Sequence, residues 1–183
     1  DLPLPNLPGP HQVMNAGAAI AALRALGKDE AACEAAVTQA YWPARMEKLT
    51  AGPLVDAAAP AELWLDGGHN PAAGQALADT LRIQPDKPTH LICGMLNTKD
   101  IAGYLCPLAD VAQSLTGVSI PDEKNTIPAA DTAAKAREVG LAATTAETLK
   151  EAIEAITAKD PIARILICGS LYFAWHAMRE NGA

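Results

Sequence analysis

Short, near-continuous apolar runs alternate along most of the chain with stretches whose apolar residues recur at helical spacing. Glu62–Asp66, His90–Met95 (HLICGM), Ser114–Ile120, Leu141–Thr144 and Ala163–Cys168 (ARILIC) read as strands. Between and after them, Pro71–Leu81, a segment from about Lys99, Ala129–Val139, Glu147–Ala158 and Ser170–Arg179 read as helices. Arg45–Thr50 is a weaker strand pattern, followed by a loop through Pro60. Strands that are apolar throughout are buried on both faces. The pattern therefore predicts an α/β fold: a Rossmann-like, mostly parallel sheet of about six strands with helices on both faces.

Upstream the pattern differs. The opening DLPLPNLPGPH is proline-rich and extended. His11–Leu26 is an alanine-rich helix that Gly27 suits as a cap, and Asp29 caps a second helix running to about Tyr41. Pro43 then punctuates the chain. Residues 1–41 are expected to form a short helical segment, and residues 42–183 the sheet domain.

Composition narrows the function. Half of the 183 residues are apolar, but only 4% are aromatic, which suits alanine-lined helices packed on a sheet. A formal net charge of −7 argues against nucleic acid or an anionic membrane as a partner. An anionic ligand then needs local cations and backbone N–H groups. Cys33, Cys93, Cys106 and Cys168 form no CxxC pair and read as buried, reduced thiols of a cytoplasmic protein. No apolar run approaches the ~20 residues of a membrane span. The chain starts at Asp1 rather than methionine, and is read as part of a longer protein.

Ligands of open parallel sheets collect at the carboxyl ends of strands. Three polar clusters fall there: Asp66–Gly67–Gly68–His69–Asn70, Asn97–Thr98–Lys99–Asp100, and Gly169–Ser170. Neither GxGxxG nor GxxxxGK[ST] is present, so the usual backbone cradles for nucleotide phosphates are missing. Asp66 suits either ribose hydroxyls or the capping of its own turn, and His69 a phosphate oxygen or the loop. Asn70 suits a helix cap. Arg45, in YWPARME, offers a bidentate fork to phosphate or is an ordinary surface arginine. Lys99 suits a carboxylate, or pairs with Asp100. Ser170 suits a carboxylate or a cap. His11 and Asn15 share a helical face, for a ligand or for bonds between helices. His90 and His176 look structural. No Ser–His–Asp order, metal-ligand spacing or carboxylate pair stands out.

Five segments together resemble the folylpolyglutamate and dihydrofolate synthases of the Mur ligase superfamily: PGPHQVMNAGAAIAAL, YWPARME, LDGGHNPAAGQAL, CGMLNTKD and GSLYF. Their order and spacing cover nearly the whole chain. The resemblance implies an ATP-dependent ligase. ATP phosphorylates a carboxylate of dihydropteroate or a folate, the amine of L-glutamate attacks the acyl phosphate, and phosphate leaves. It places Asn15, Arg45, Asp66 and His69 at the nucleotide, with Lys99 and Ser170 holding the amino acid's carboxylates. Arg45, His69 and Lys99 are its candidates for catalysis. Mg2+ is implied with the nucleotide, its ligands lying outside this chain. Residues 1–41 resemble the tail of the central ATPase domain, and residues 42–183 the C-terminal domain. The enzyme's own N-terminal ATPase domain is thus an implied partner, and the chain by itself is expected to be inactive. Two other expectations are weighed: another Mur-type ligase, or a stand-alone nucleotide- or glutamate-binding module. Three departures stand out. Ala44 occupies a usual glycine, Asn97–Thr98 replaces the commoner residues before Lys99, and TAGPLVDAAAPAE looks like an insertion.

Overall fold

A computed structural model describes residues 2–182. Two helices, α1 (Pro10–Ala25) and α2 (Glu30–Thr38), come first, with Asp29 capping α2 through the Ala32 N–H. A sheet domain follows: β1 (Glu47–Leu49), α3 (Pro53–Ala58), β2 (Glu62–Leu65), α4 (Pro71–Ile83), β3 (Thr89–Cys93) and α5 (Ile101–Leu105) with a 3₁₀ turn at Cys106–Leu108. It continues through β4 (Ser114–Gly117), α6 (Ala129–Glu138), β5 (Ala142–Thr145), α7 (Leu149–Lys159), β6 (Arg164–Cys168) and α8 (Leu171–Glu180).

The six strands lie in the order β1-β2-β6-β3-β4-β5. All neighbours pair parallel except β1, which runs antiparallel to β2 along one edge. Central β6 is buried at every residue, as its apolar Ile165–Cys168 run requires, and Arg164 at its start donates to Thr89 Oγ1 and the Pro85 carbonyl. One core joins Leu63, Leu65, Ile165 and Ile167 to Leu54, Ile153 and Phe173 of α3, α7 and α8. The other joins Leu91, Cys93, Leu115 and Leu166 to Leu77, Leu81, Tyr104 and Ala136 of α4, α5 and α6. Helices therefore cover both faces, as the pattern predicts. Helix α1 packs against α2 and α4, which sets the N-terminal pair beside the sheet domain.

Several elements differ from the sequence reading. Residues 53–58, read within a loop and within a possible insertion, form α3, whose Leu54 and Ala58 are buried. Gly52 and Pro53 give the segment turn chemistry, and six residues are too few to show a helical period. The segment from Lys99 becomes helical only at Ile101, because Asp100 is the cap and accepts from the Gly103 N–H at 2.9 Å. Cys106 is exposed, whereas the other three cysteines are buried. Among the described residues, no helix is long and apolar enough to cross a membrane.

Candidate functional site

Strands β2, β6 and β3 are parallel neighbours, so the turns that leave them emerge along one rim. These are the three polar clusters singled out in the sequence. Two adjoining cavities open there. The first, of about 340 Å³, lies between α1, α4 and the 66–70 turn, and is lined by Asn15, Arg45, Asp66 and His69 among others. The second, of about 240 Å³, is lined by His69, Lys99, Gly169, Ser170 and Tyr172. All six candidate residues thus line one cavity or the other, and His69 lines both.

Asp66 organises the first cavity. Its Oδ1 accepts from the Gly68 N–H at 2.7 Å, and its Oδ2 from the Met46 N–H at 2.9 Å. One side chain thereby ties the 66–70 turn to the segment carrying Arg45. The carboxyl group is buried, with 8% exposure. Burial raises its pKa, an effect that the two backbone donors and the nearby Arg45 and His11 only partly offset. Of the two roles weighed for Asp66, the geometry gives it turn capping. The paired glycines are needed for close approach. A Cβ at Gly67 would strike Leu171 and crowd Arg45 Nη1, and one at Gly68 would lie 2.8 Å from Asp66 Oδ1.

Arg45 sits between two residues in the left-handed region, Ala44 at φ 55° and Met46 at φ 45°. Such a conformation costs a side-chain-bearing residue roughly 1–2 kcal/mol. Ala44 therefore adopts the backbone that a glycine would take there without strain. The kinked segment is held by bonds from Ala44 N–H to Glu47 Oε2 and from Gly67 N–H to the Ala44 carbonyl, both 2.9 Å. Arg45 Nη1 donates back to the Ala44 carbonyl, also at 2.9 Å. The guanidinium is half-buried and forms no salt bridge among the described residues, which leaves its remaining donors for a ligand.

His69 Nδ1 lies 3.1 Å from the Gly67 carbonyl oxygen. A carbonyl only accepts, so Nδ1 carries the proton and a neutral ring offers Nε2 as an acceptor. Donation from His69 to a phosphate oxygen therefore requires the imidazolium form. Asn70 caps α4, accepting from the Ala73 N–H at 2.9 Å. Ser170 is buried and caps α8, accepting from the Tyr172 N–H at 3.1 Å. Lys99 is exposed and does not pair with Asp100, which is occupied as a cap. Asn15 donates to Gln12 Oε1 at 2.9 Å, so the bond expected between helices lies within α1.

One constellation was invisible in the sequence. His90 Nδ1 meets Ser114 Oγ at 2.7 Å, and its Nε2 lies 3.4 Å from Asp160 Oδ2. These residues sit near the amino ends of β3 and β4 and at the end of α7, away from the rim, and the sequence reading had found no such set. Separations of 24 and 70 residues hide it. Among the described residues, no group of three or more His, Cys, Asp or Glu side chains could hold a metal.

The family model described as "Mur ligase, glutamate ligase domain" matches residues 44–171. The chain belongs to this family. It is 30% identical over 145 residues to the folylpolyglutamate synthase of Lacticaseibacillus casei, covering 77% of this chain and 30% of that protein. Its fold is similar to Mycobacterium tuberculosis folylpolyglutamate synthase complexed with ADP, at 30% identity and a TM-score of 0.83, covering 100% of this chain and 42% of the other. It is likewise similar to E. coli FolC in complex with DHPP and ADP, at 26% identity and a TM-score of 0.79, covering 97% of this chain and 40% of that one. The chain thus spans less than half the length of each of these relatives.

Proposed function

We propose that this Mur ligase domain forms one wall of the reaction chamber of an ATP-dependent ligase that joins L-glutamate to dihydropteroate, to folates, or to both. The observation that carries the reading is the pair of adjoining cavities sharing His69 at the ends of β2, β6 and β3. One is large enough for part of a nucleotide and the other for an amino acid, and their contact is what transfer between two substrates requires. ADP is bound by the Mycobacterium tuberculosis and E. coli relatives, and DHPP by the E. coli one.

ATP would supply activation of the acceptor carboxylate as an acyl phosphate. This chain's residues would hold and orient. Arg45, without a salt bridge among the described residues and stiffened by its two left-handed neighbours, would meet phosphate oxygens. Asn15 would face the base. Asp66 would keep Arg45 and His69 in register, and any contact it makes with ribose would be secondary to that bracing. Lys99 and the N-terminus of α8 at Ser170 would take the carboxylates of glutamate. Mg2+ would accompany the nucleotide and be held by groups outside the described residues. Residues 1–41 are proposed to belong with an ATPase module that presents the phosphates to this rim, and the 183-residue chain alone to be catalytically inactive.

The test is phosphate release from Mg-ATP with dihydropteroate and glutamate, measured on the longer protein to which this chain is proposed to belong. Arg45→Ala is expected to lower turnover by about one to two orders of magnitude, matching loss of a charged hydrogen bond of roughly 1.5–3 kcal/mol. Unchanged kinetics would remove Arg45 from the mechanism. Turnover by the 183 residues alone would overturn the division of labour.

A further inference from the structure

Helix α1 contributes more to the first cavity than Asn15. His11 lies one helical turn before Asn15 and also lines the cavity. It packs beside Gly9, where a Cβ would fall 2.8 Å from His11 Cε1 and collide with Thr80 Oγ1. His11 Nδ1 is fully buried and has no hydrogen-bond partner among the described residues. Nε2 is neither buried without a partner nor bonded to any described protein group, which leaves it reachable from the cavity.

The two nitrogens settle the tautomer. A neutral imidazole carries one N–H and one lone pair. An orphaned buried N–H is rarer and costlier than an unsatisfied acceptor. The proton therefore belongs on Nε2, and the bare lone pair on Nδ1. Burial also lowers the pKa of His11, as does Arg45, while Asp66 and Asp79 act in the opposite sense, and the net direction is down. His11 is thus a neutral donor near pH 7. Beside it, Asn15 has committed one N–H to Gln12, a residue that is itself buried, and its Oδ1 is left as an acceptor. The adjacent wall is Ala72, Ala73 and Ala76, small side chains that leave room for a flat ring.

We propose that His11 is a base-reading residue of this site: its Nε2–H donates to a ring nitrogen of an adenine base, beside the Asn15 amide. The assignment rests on the nucleotide reading above and extends it to a residue that the five-segment resemblance does not single out as a contact. A donor and an acceptor side by side complement a purine edge bearing an acceptor nitrogen and an amino group. The two histidines of the cavity then differ at Nε2, since His69 uses its Nδ1–H on the Gly67 carbonyl whereas His11 carries its proton on Nε2.

The test is calorimetric titration of the 183-residue chain with ADP, and separately with inorganic pyrophosphate, for wild type, His11→Ala and His11→Gln. Loss of one neutral hydrogen bond is expected to weaken ADP binding about three- to tenfold in His11→Ala. His11→Gln, whose amide N–H can replace Nε2–H, is expected to restore most of it. The response of the chain to pyrophosphate should not change. His11→Ala binding ADP like wild type, or losing ADP and pyrophosphate alike, would overturn the proposal. A ligand-free readout separates this failure from that of the nucleotide reading. Nitrogen-15 spectra should show Nδ1 unprotonated and Nε2 protonated at pH 7, and a protonated Nδ1 would overturn the assignment by itself. If wild type binds no ADP while the tautomer is as expected, the nucleotide reading has failed, and base recognition falls with it.

Discussion

Replacing Asp66 by alanine tests whether its carboxylate braces the site or serves the ligand. The substitution leaves the N–H groups of Gly68 and Met46 without their acceptor, both near a buried position. Each buried donor left unsatisfied costs about 1–3 kcal/mol. Part of this returns, because burial of the charge is itself unfavourable, as the raised pKa shows. The net loss is expected at about 2–4 kcal/mol, or roughly 5–15 °C in Tm for a chain of this size. Asp66→Asn keeps one acceptor oxygen and removes the charge, so about half that loss is expected. The pH dependence has a definite sign. A carboxyl whose folded pKa is raised contributes stability below its ordinary value of 3.8 and loses it as pH rises through the folded value. Asp66→Asn should therefore compare more favourably with wild type at pH 7 than at pH 3. Urea denaturation at both pH values measures the stabilities, and titration with ADP measures the site. Bracing requires that Asp66→Ala lose stability and ADP affinity together. Lost affinity at full stability would show that the carboxylate acts on the ligand instead.

Two further outcomes follow from the packing and the charges. Gly74→Ala adds a helix-favouring residue inside α4, worth about 1 kcal/mol at an open site, but its Cβ would collide with the Tyr104 backbone of α5. Net destabilisation of about 1–3 kcal/mol by thermal melting is expected, and any stabilisation would contradict the α4–α5 contact. Glu62 has its pKa pushed down to about 2: burial alone would raise it, but bonds from Lys48, Lys87 and the Trp64 indole outweigh that. Its stabilisation is present above pH 4.5 and lost as pH falls toward 2. With solvent reaching both lysines, about 1–2 kcal/mol is involved. Glu62→Gln should flatten the acid limb of the stability profile, and an unchanged limb would refute the pairing.

The parallel sheet was legible because buried strands such as β6 are apolar after their first residue, Arg164, and the polar clusters lay where β2, β3 and β6 end. Direction was less legible: nothing in Glu47–Leu49 says that β1 runs antiparallel to β2. Helix α3 was missed because six residues between turn signals show no period. The six candidate residues were found through local motifs. What holds them was not, because Asp66 reaches Met46 across 20 residues and Gly74 packs against the backbone of Tyr104, on a different helix, α5. Ala44 was noticed as an oddity, but its left-handed backbone appears only in the fold. His11 carried no local sign that one ring nitrogen is sealed in, since that depends on Gly9 and on Thr80 of a distant helix.

The measurement closest to the central claim is an amide chemical-shift map of the chain titrated with ADP. The expected result is a contiguous set of perturbed amides at Arg45–Met46, Asp66–Asn70 and His11–Asn15, attenuated in Arg45→Ala. Perturbation confined to the amino ends of the strands, around Thr89, Ser114 and Arg164, would place the ligand at the wrong end of the sheet and contradict the account.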